Sequence, residues 1–345
     1  MQTPVVVGLS GGIDSFVTAL LLQREGYEVI GVHLSLWGDD DNRELFSLCN
    51  QLNIELIDYD GRDFFDKKVV QPFINEYISG RTPSPCALCN NEVKWELLRK
   101  IADERGVEKI ACGHYVRIYS DNGLYYIQQG VDPVKDQSYF LWGLNQSILS
   151  RAITPLGTYT KEEVRKMAAD SGYSGLVKKK ESMGVCFLAG KDYRQFILEY
   201  TGRTDLQKSG DIVDPLGNII AKHTGLLNYT IGQKRGIPLH EERQLYVSSI
   251  DFQNNIIVVD EKSSLQCTSF LVKDYNLTDI SDLHADDIRV AVRGLGLNPE
   301  GFSQLKQVDA KTLSVTLSSP AWAVAPGQPV VFYKHDLVMG GGVVK

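Results

Sequence analysis

The sequence predicts an α/β protein in which a parallel sheet with helices is followed by a small linker domain and a C-terminal β-barrel-like domain. Strand-like apolar runs alternate with helical stretches as far as Gly113, which is typical of a parallel sheet covered on both faces. Beyond Tyr200, glycine-rich turns and short alternating runs replace this pattern, as in small barrels. We therefore expect three domains, at residues 1–198, 199–264 and 265–345.

The elements of the first domain follow from hydrophobic periodicity and from helix stop signals such as Gly26. The predicted strands are residues 5–9, 27–34, 54–59 and 109–113. The predicted helices are residues 16–26, 43–52, about 64–78 and about 92–105.

The later elements carry clearer turn and cap signals. Asp121-Asn122-Gly123 predicts a turn between two β-rich runs within residues 115–129, and Thr160 begins a capping box for a helix that ends near Ser171. A further helical stretch is predicted at residues 139–150. The short strands predicted beyond Tyr200 include residues 256–259, 288–292, 313–317 and 329–333.

Composition predicts an ordinary globular protein of the cytoplasm with no membrane partner. Of the 345 residues, 43% are hydrophobic and 23% are charged; no apolar run approaches a membrane span, and no signal-like segment begins the chain. Six cysteines in such a chain favour thiol chemistry or metal binding over a disulfide framework. The net charge of −7 gives no support to nucleic-acid binding, although local basic groups such as Lys234-Arg235 permit it.

A glycine-rich turn, Ser10-Gly11-Gly12-Ile13-Asp14-Ser15, joins the first strand to the first helix. Backbone N–H groups in such a turn bind an anion together with the positive end of the helix dipole, so this is a candidate phosphate site. It is not a Walker loop, because no lysine follows the glycines. It is not a dinucleotide fingerprint either, because Gly-x-Gly-x-x-Gly is absent.

Two cysteines are candidate reactive thiols. Cys89 precedes a predicted helix N-terminus near Glu92, where the helix dipole would lower the pKa of the thiol, and Cys186 follows the basic run Lys178-Lys179-Lys180. The Cys86-x-x-Cys89 spacing alone fits a redox pair, half of a zinc site or, with Cys186, a three-cysteine iron–sulfur site. The other three cysteines are expected to be small buried hydrophobic side chains: Cys49, Cys112 and Cys267.

Seven segments, at residues 10–15, 80–90, 113–115, 135–140, 183–187, 229–236 and 326–328, together resemble one family. This family is the bacterial tRNA-specific 2-thiouridylases, whose N-terminal loop is the pyrophosphatase loop of enzymes that cleave ATP to AMP and pyrophosphate. The segments occur in the family's order and span nearly the whole chain.

The resemblance implies a tRNA-uridine 2-sulfurtransferase that uses ATP and Mg²⁺. The family transfers sulfur to C2 of the wobble uridine, position 34 of the tRNA. The uridine oxygen is first adenylated, because it is otherwise a poor leaving group, and sulfur then displaces AMP. In this scheme Asp14 orients the pyrophosphate or holds Mg²⁺, and Cys186 carries a persulfide received from a sulfur donor protein. Cys89 frees the sulfur, which leaves a Cys89–Cys186 disulfide.

The same resemblance implies binding residues for both substrates. The implied nucleotide-binding residues are Gly8, Leu9, Ser10, Gly11, Gly12, Ile13, Asp14, Ser15, Leu34 and Gly113. The implied tRNA-binding residues are Ser84, Pro85, Cys86, His114, Lys135, Asp136, Gln137 and Gln328, of which the first three lie near the target base. That base must be exposed, because a base stacked in an A-form helix cannot enter a pocket.

Three other functions remain open from the sequence. Cys86, Cys89 and Cys186 could ligate an iron–sulfur cluster in a cluster-dependent version of the same thiolation, with sulfide on the open iron. A ligase with the same loop would form an amide or a different thionucleoside, but the paired cysteines and the lack of a glutaminase-like segment count against it. A redox-sensing RNA-binding protein would use the same fold without catalysis.

Overall fold

The computed structural model describes residues 2–38, 41–179, 184–238, 244–292 and 298–345, and it confirms the predicted α/β fold class. The chain divides into two compact units. The first comprises Met1–Val69, Cys86–Phe187 and Lys334–Gly340, and the second comprises Val70–Pro85, Leu188–Tyr333 and Gly341–Lys345. The limits of the three expected domains stay a prediction. Within the described ranges, no helix combines the length and the hydropathy needed to cross a membrane.

The first unit is built on a parallel sheet. Its described strands are β1 (Thr3–Gly8), β2 (Tyr27–Ser35), β3 (Glu55–Asp60), β4 (Lys109–Ala111), β5 (Val116–Asp121), β6 (Leu124–Gln129) and β7 (Ala152–Ile153). Five of them form the sheet in the order β3-β2-β1-β4-β7, with every neighbouring pair parallel. Because β1 lies between β2 and β4, the loops after β1 and β4 border the crevice where ligands bind in such sheets.

Helices connect these strands, and an antiparallel hairpin interrupts the alternation, as predicted. The described α-helices of the whole chain are Ile13–Arg24, Arg43–Gln51, Arg62–Phe65, Gln71–Tyr77, Pro85–Cys89, Trp95–Glu104, Gln146–Leu149, Lys161–Asp170, Ser174–Lys178 and Tyr193–Thr201, with π turns at Asp66–Val70 and Asn90–Lys94. Of these, Gln71–Tyr77 and Tyr193–Thr201 belong to the second unit. The hairpin consists of β5 and β6, and Leu337 and Val338 pair with β6.

Burial of apolar side chains explains why the N-terminal helix is held firmly. Val5, Val6 and Val7 of β1 have no solvent exposure, as expected for a central strand of a sheet covered on both faces. The helix Ile13–Arg24 contributes Ala19 and Leu22 to one hydrophobic cluster, and Phe16, Val17 and Leu21 to a second cluster. The start of this helix, which follows the glycine-rich turn, is therefore fixed from two sides.

The structure corrects three predicted helix boundaries. The first helix begins at Ile13 rather than Phe16, so Asp14 lies in its first turn. The helical run that contains Cys89 begins at Pro85 rather than near Glu92, because proline at the first helical position has a suitable φ and lacks only an N–H that would be unpaired. Residues 139–150 hold a 3₁₀ turn at Ser138–Phe140 and the short helix Gln146–Leu149, which starts at the N-cap Asn145.

The second unit is mostly β-structure, as the change of pattern beyond Tyr200 predicts. Its strands are β8 (Gly210–Val213), β9 (Ile219–His223), β10 (Tyr246–Asp251), β11 (Ile256–Asp260), β12 (Gln266–Leu277), β13 (Arg289–Ala291), β14 (Gln304–Asp309), β15 (Thr312–Trp322) and β16 (Pro329–Lys334), and it shares β17 (Leu337–Val344) with the first unit. One sheet has the order β10-β11-β8-β9, and the other contains β13-β16-β17-β12-β15-β14.

Candidate active site

The loop after β1 has the geometry of an anion site. Gly12 is the N-cap of the helix Ile13–Arg24 and provides no side-chain acceptor for its first amides, and Gly11 has a φ of 72°, which glycine adopts without strain. Ser10 N–H donates to Ser15 Oγ at 3.1 Å, and Ser15 Oγ donates to the Gly12 carbonyl at 3.0 Å. These bonds brace the loop while its helix amides remain suited to an anion such as pyrophosphate.

Asp14, in the first turn of that helix, is held by a lysine from a distant part of the chain. Lys161 Nζ donates to the two carboxylate oxygens of Asp14 at 2.7 and 2.8 Å, and the Tyr115 hydroxyl donates to Asp14 Oδ1 at 2.7 Å. The side chain of Lys161 is 7% exposed, and that of Asp14 is 34% exposed. The Lys161 ammonium, 147 positions later in the chain, thus offsets the negative charge that Asp14 would otherwise bring to the loop.

Sequence reasoning missed Lys161 and Tyr115 as parts of the site. Lys161 is the first residue of the helix Lys161–Asp170, directly after the N-cap Thr160 of the predicted capping box. A cation at a helix N-terminus is electrostatically unfavourable, so a lysine at this position indicates an anionic partner elsewhere. That signal was available in the sequence, but it does not identify Asp14 as the partner.

Replacing Lys161 with methionine should lower the free energy of unfolding by about 2 kcal/mol, because a half-buried carboxylate loses its ammonium partner. The measurement is urea unfolding at pH 7. The matched control is Lys191→Met, whose ammonium pairs with Glu199 at the same distance of 2.7 Å but with both side chains about half exposed. We expect the control to change the free energy by less than about 0.5 kcal/mol. Equal losses in the two variants would contradict a special role for the Lys161–Asp14 pair.

Two glycines bring the ends of β1 and β4 against the loop. A Cβ atom on Gly113 would lie 3.0 Å from the Asp14 carbonyl carbon and 3.1 Å from the Ser15 nitrogen, so any other residue would have to displace this backbone by a few tenths of an ångström. A Cβ atom on Gly8 would lie 3.4 Å from Cys112 Sγ, and the Gly8 backbone hydrogen-bonds to this thiol. Cys112 is 7% exposed, as expected of a buried cysteine. The loop is therefore contiguous with Cys112.

Cys86 and Cys89 lie in a helical run whose middle is a π turn. The run consists of Pro85–Cys89, the π turn Asn90–Lys94 and the helix Trp95–Glu104. Side chains five residues apart point about 140° away from each other on an α-helix, whereas the i→i+5 hydrogen bonds of a π turn bring such positions closer together. This turn places the Lys94 ammonium where its charge acts on four thiols, those of Cys86, Cys89, Cys112 and Cys186.

The prediction that the helix dipole activates Cys89 is wrong. Cys89 is 5% exposed, and burial raises the pKa of its thiol to about 11, although the charge of Lys94 opposes this shift. Because the helix begins at Pro85, Cys89 is its fifth residue and does not precede its N-terminus. Cys89 is therefore a protonated thiol at neutral pH, whereas Cys86 and Cys186 are exposed.

Cys186 begins a 3₁₀ turn, Cys186–Leu188, that is anchored by the next residue. The ring of Phe187 packs edge-on against Trp37 and Phe65, with centroid separations of 5.9 and 5.8 Å. Phe187 is 2% exposed, so the anchor fixes the backbone while the neighbouring thiol stays accessible. The charge of Cys186 acts on both Cys86 and Cys89, which assigns the three thiols to one region.

Lys179, in the basic run that was expected to activate Cys186, forms an ion pair instead. Lys179 Nζ pairs with Glu44 at 3.0 Å, and Lys180 lies outside the described residues. Lys94, which the sequence analysis did not select, supplies the positive charge that acts on Cys186. A π turn has no clear sequence signature, so nothing in the sequence indicated this placement.

The rate at which iodoacetamide alkylates Cys89 should keep rising up to about pH 11, because the thiolate is the nucleophile and the pKa of Cys89 is about 11. An unperturbed cysteine would reach its plateau about two pH units lower. Time-resolved peptide mass spectrometry measures the rate for each cysteine. Lys94→Met should make Cys89 several-fold slower at pH 8, and Lys68→Met, whose ammonium pairs with Glu92, is the control. A plateau of the Cys89 rate near pH 8 would contradict the raised pKa.

Several residues expected to bind tRNA are engaged inside the first unit. Asp136 is 8% exposed, and its carboxylate accepts hydrogen bonds from the Gly130 N–H at 2.9 Å and the Ser138 hydroxyl at 2.6 Å. Gln137 Oε1 accepts a hydrogen bond from the Tyr115 N–H at 3.0 Å. Both side chains therefore shape the segment around Tyr115, and any contact they make with RNA competes with these bonds.

His114 and Lys135 are placed differently from these two residues. The His114 ring stacks on Trp95 with a centroid separation of 5.8 Å, and burial together with the charge of Lys94 lowers the pKa of the imidazole to about 3. His114 is therefore neutral at pH 7, and its buried Nδ1 has no hydrogen-bond partner among the residues that the structure describes. Lys135 is half-buried, and its N–H donates to Asp132.

Three other residues expected to bind tRNA belong to the second unit: Ser84, Pro85 and Gln328. There, Gln328 Oε1 accepts a hydrogen bond from the Ala325 N–H at 3.4 Å.

Three family models together match nearly the whole chain. They are described as the tRNA methyl transferase HUP domain at residues 3–190, the tRNA methyl transferase PRC-barrel domain at residues 194–261 and the aminomethyltransferase beta-barrel domain at residues 268–344. Among solved structures, a complex of a 4-thiouridine synthetase with RNA and bound ATP aligns with a TM-score of 0.39 and 17% identity, covering 57% of this chain and 50% of that chain.

Curated relatives match over almost their full length. The tRNA-specific 2-thiouridylase MnmA 2 of Phocaeicola vulgatus is 43% identical, over 99% of this chain and 97% of that protein. The tRNA-specific 2-thiouridylase MnmA 1 of Bacteroides fragilis is 40% identical over 99% and 96%, and that of Caldanaerobacter subterraneus is 38% identical over 99% and 97%.

Proposed function

The chain belongs to the tRNA-specific 2-thiouridylase family, and on this premise we propose that it transfers sulfur to C2 of the wobble uridine, position 34, of tRNA in a reaction that consumes ATP. One observation carries the proposal beyond the similarity itself. Gly8, the last residue of β1, hydrogen-bonds through its backbone to the Cys112 thiol, and Lys94 acts on Cys112 together with Cys89 and Cys186. A phosphate loop and a group of thiols thus belong to one site.

The first step of the proposed reaction is adenylation of the uridine. The O2 atom of the base attacks the α-phosphate of ATP, the bond to the β-phosphate breaks, and pyrophosphate leaves. The loop amides donate hydrogen bonds to the leaving pyrophosphate and so stabilise its negative charge. Lys161 neutralises Asp14, so this carboxylate does not repel the phosphates. The residues proposed to contact the nucleotide include those of the loop, Leu34 and Gly113. The residues proposed to contact tRNA are Ser84, Pro85, Cys86, His114, Lys135, Asp136, Gln137 and Gln328.

The second step delivers sulfur and uses the difference between two cysteines. The terminal sulfur of a persulfide on Cys186 attacks C2, and AMP leaves with the former uridine oxygen. The Cys89 thiol then gives up its proton and attacks the Cys186 sulfur. This breaks the persulfide bond, releases 2-thiouridine and forms a Cys89–Cys186 disulfide. Lys94 stabilises the thiolate of the buried Cys89 at this moment, and the exposed Cys186 is accessible to a protein that supplies the persulfide.

The described residues do not fit a metal site formed by the protein alone. Both oxygens of Asp14, the expected Mg²⁺ ligand, accept hydrogen bonds from Lys161. In the part of the chain that the structure describes, no group of three or more His, Cys, Asp or Glu side chains could hold a metal ion. No step above is therefore assigned to a Mg²⁺ ion or an iron–sulfur cluster held by these side chains.

The family-model descriptions name methyl transfer, whereas the curated relatives are named for thiolation. An anion loop at a helix N-terminus and a buried thiol beside an exposed one suit adenylation and sulfur delivery. Methyl transfer requires neither of them. The site therefore favours the thiolation named in the relatives.

The function is tested with protein purified under anaerobic conditions, on which iron, sulfide and zinc are measured. The same sample is assayed with a tRNA transcript that carries an unmodified wobble uridine, ATP and glutathione persulfide, whose outer sulfur is already at the oxidation level of a Cys186 persulfide. We expect ATP-dependent thiolation by metal-free protein. Activity that tracks stoichiometric iron and sulfide would instead make Cys86, Cys89 and Cys186 cluster ligands. Absence of tRNA-dependent exchange between ATP and pyrophosphate would favour a redox-sensing RNA-binding protein.

A further inference from the structure

Cys86 has no chemical role in the reaction proposed above, yet it is well placed to react with Cys89. The two cysteines are three residues apart at the start of the helical run that begins at Pro85. Residues three apart on an α-helix have Cα atoms about 5 Å apart, within the range of about 4.4–6.8 Å that a disulfide spans. A bond between these two sulfurs therefore requires little movement of the backbone.

The two thiols of this pair differ in their exposure to solvent. Cys86 is exposed, whereas Cys89 is 5% exposed. A Cys89–Cys186 disulfide would place one of its sulfurs where a reductant from solution cannot reach it. The thiol of Cys86 is on the same helix, and the charges of Cys86 and Cys186 act on each other, so Cys86 is near both ends of this disulfide.

On the premise of the thiolation chemistry, we propose that Cys86 and Cys89 form a redox relay that resets Cys186 after each sulfur transfer. The Cys86 thiol loses a proton, and its sulfur attacks Cys89 Sγ of the Cys89–Cys186 disulfide. The old sulfur–sulfur bond breaks, Cys186 leaves as a thiolate that takes up a proton, and a Cys86–Cys89 disulfide forms.

An external dithiol then completes the cycle. Its first thiolate attacks the exposed Cys86 sulfur and releases Cys89, and its second thiol displaces Cys86, so that the dithiol leaves as its own disulfide. The two electrons consumed by sulfur transfer thus come from this dithiol. Lys94 acts on all three cysteines and therefore stabilises each thiolate that the exchanges produce. Cys186 can therefore accept a new sulfur atom from a persulfide donor before the external dithiol has reacted.

The experiment follows one turnover without any reductant. The full chain is loaded with glutathione persulfide, freed of small molecules, and mixed with tRNA transcript and ATP. The reaction is stopped with acid, free thiols are blocked with N-ethylmaleimide, and thiolated tRNA and disulfide-linked peptides are quantified in the same sample. Cys86→Ser is the test variant, and Cys267→Ser, on β12, is the control for the loss of a thiol. Because Cys86 lies in a segment proposed to contact tRNA, every result is expressed per mole of thiolated tRNA.

We expect wild type and Cys267→Ser to contain a Cys86–Cys89 disulfide and alkylated Cys186. Cys86→Ser should contain about tenfold less alkylated Cys186, with Cys186 joined to Cys89. A Cys89–Cys186 disulfide with alkylated Cys86 in the wild type would overturn the relay and leave the proposed function standing. Loss of the first transfer itself in Cys86→Ser would also overturn it, because Cys86 would then act before the disulfide forms. Wild-type protein that makes no thiolated tRNA would refute the proposed function, and the relay with it.

Discussion

Replacing Cys186 with serine should lower the rate of tRNA thiolation by about 1000-fold or more, because a serine hydroxyl cannot carry a persulfide. The exposed position of this side chain makes a loss of folding stability above about 0.5 kcal/mol unexpected. Binding of ATP and of tRNA should remain largely intact. The measurement is single-turnover thiolation of a tRNA transcript, with Cys267→Ser as the matched cysteine control.

Retained thiolation in Cys186→Ser would remove the persulfide role from this residue. Exchange of labelled pyrophosphate into ATP in the presence of tRNA provides a second readout. Adenylation precedes sulfur delivery, so this exchange should persist in Cys186→Ser. Loss of both activities would show that the variant disturbs the nucleotide loop as well.

Replacing Asp14 with asparagine should slow the adenylation step by about 100-fold, measured as tRNA-dependent exchange between ATP and pyrophosphate. The amide keeps the size of the side chain but gives Lys161 no anionic partner. The ammonium, only 7% exposed, then has to find another arrangement beside the phosphate loop.

A double-mutant cycle tests whether Asp14 and Lys161 contribute to adenylation as one unit. If Asp14 and Lys161 act as one unit, the Asp14→Asn, Lys161→Met double variant should be no slower than the slower single variant. Independent contributions would instead multiply the two losses. An unchanged exchange rate in Asp14→Asn would show that the carboxylate only supports the fold.

Local sequence signals predicted much of the first unit and the position of the loop. Strand, glycine-rich turn and helix are contiguous at residues 3–24, and each has its own signature, so the position of the loop could be predicted without tertiary information. The hairpin at β5 and β6 and the capping box at Thr160 were found for the same reason.

The electrostatics of the site could not be predicted, because they depend on packing between distant residues. Lys161 meets Asp14 across 147 positions, and neither residue identifies the other in the sequence. The expectation for Cys89 failed because the true helix start and the burial of the thiol come from tertiary structure. Helix termini are also the least certain part of any assignment from sequence.

The π turn at Asn90–Lys94 has a consequence for how this segment can diverge. Deleting one residue from it would restore a regular α-helix and leave the helix-forming character of the chain almost unchanged. The part from Trp95 onward would keep nearly its present orientation relative to the cysteines, because five residues of a π turn and four residues of an α-helix turn the chain by similar angles. The same deletion inside the helix Trp95–Glu104 would instead rotate the residues after it by about 100° and move its buried apolar face away from its partners. Loss of one residue should therefore be tolerated better in the π turn than in the helix that follows it.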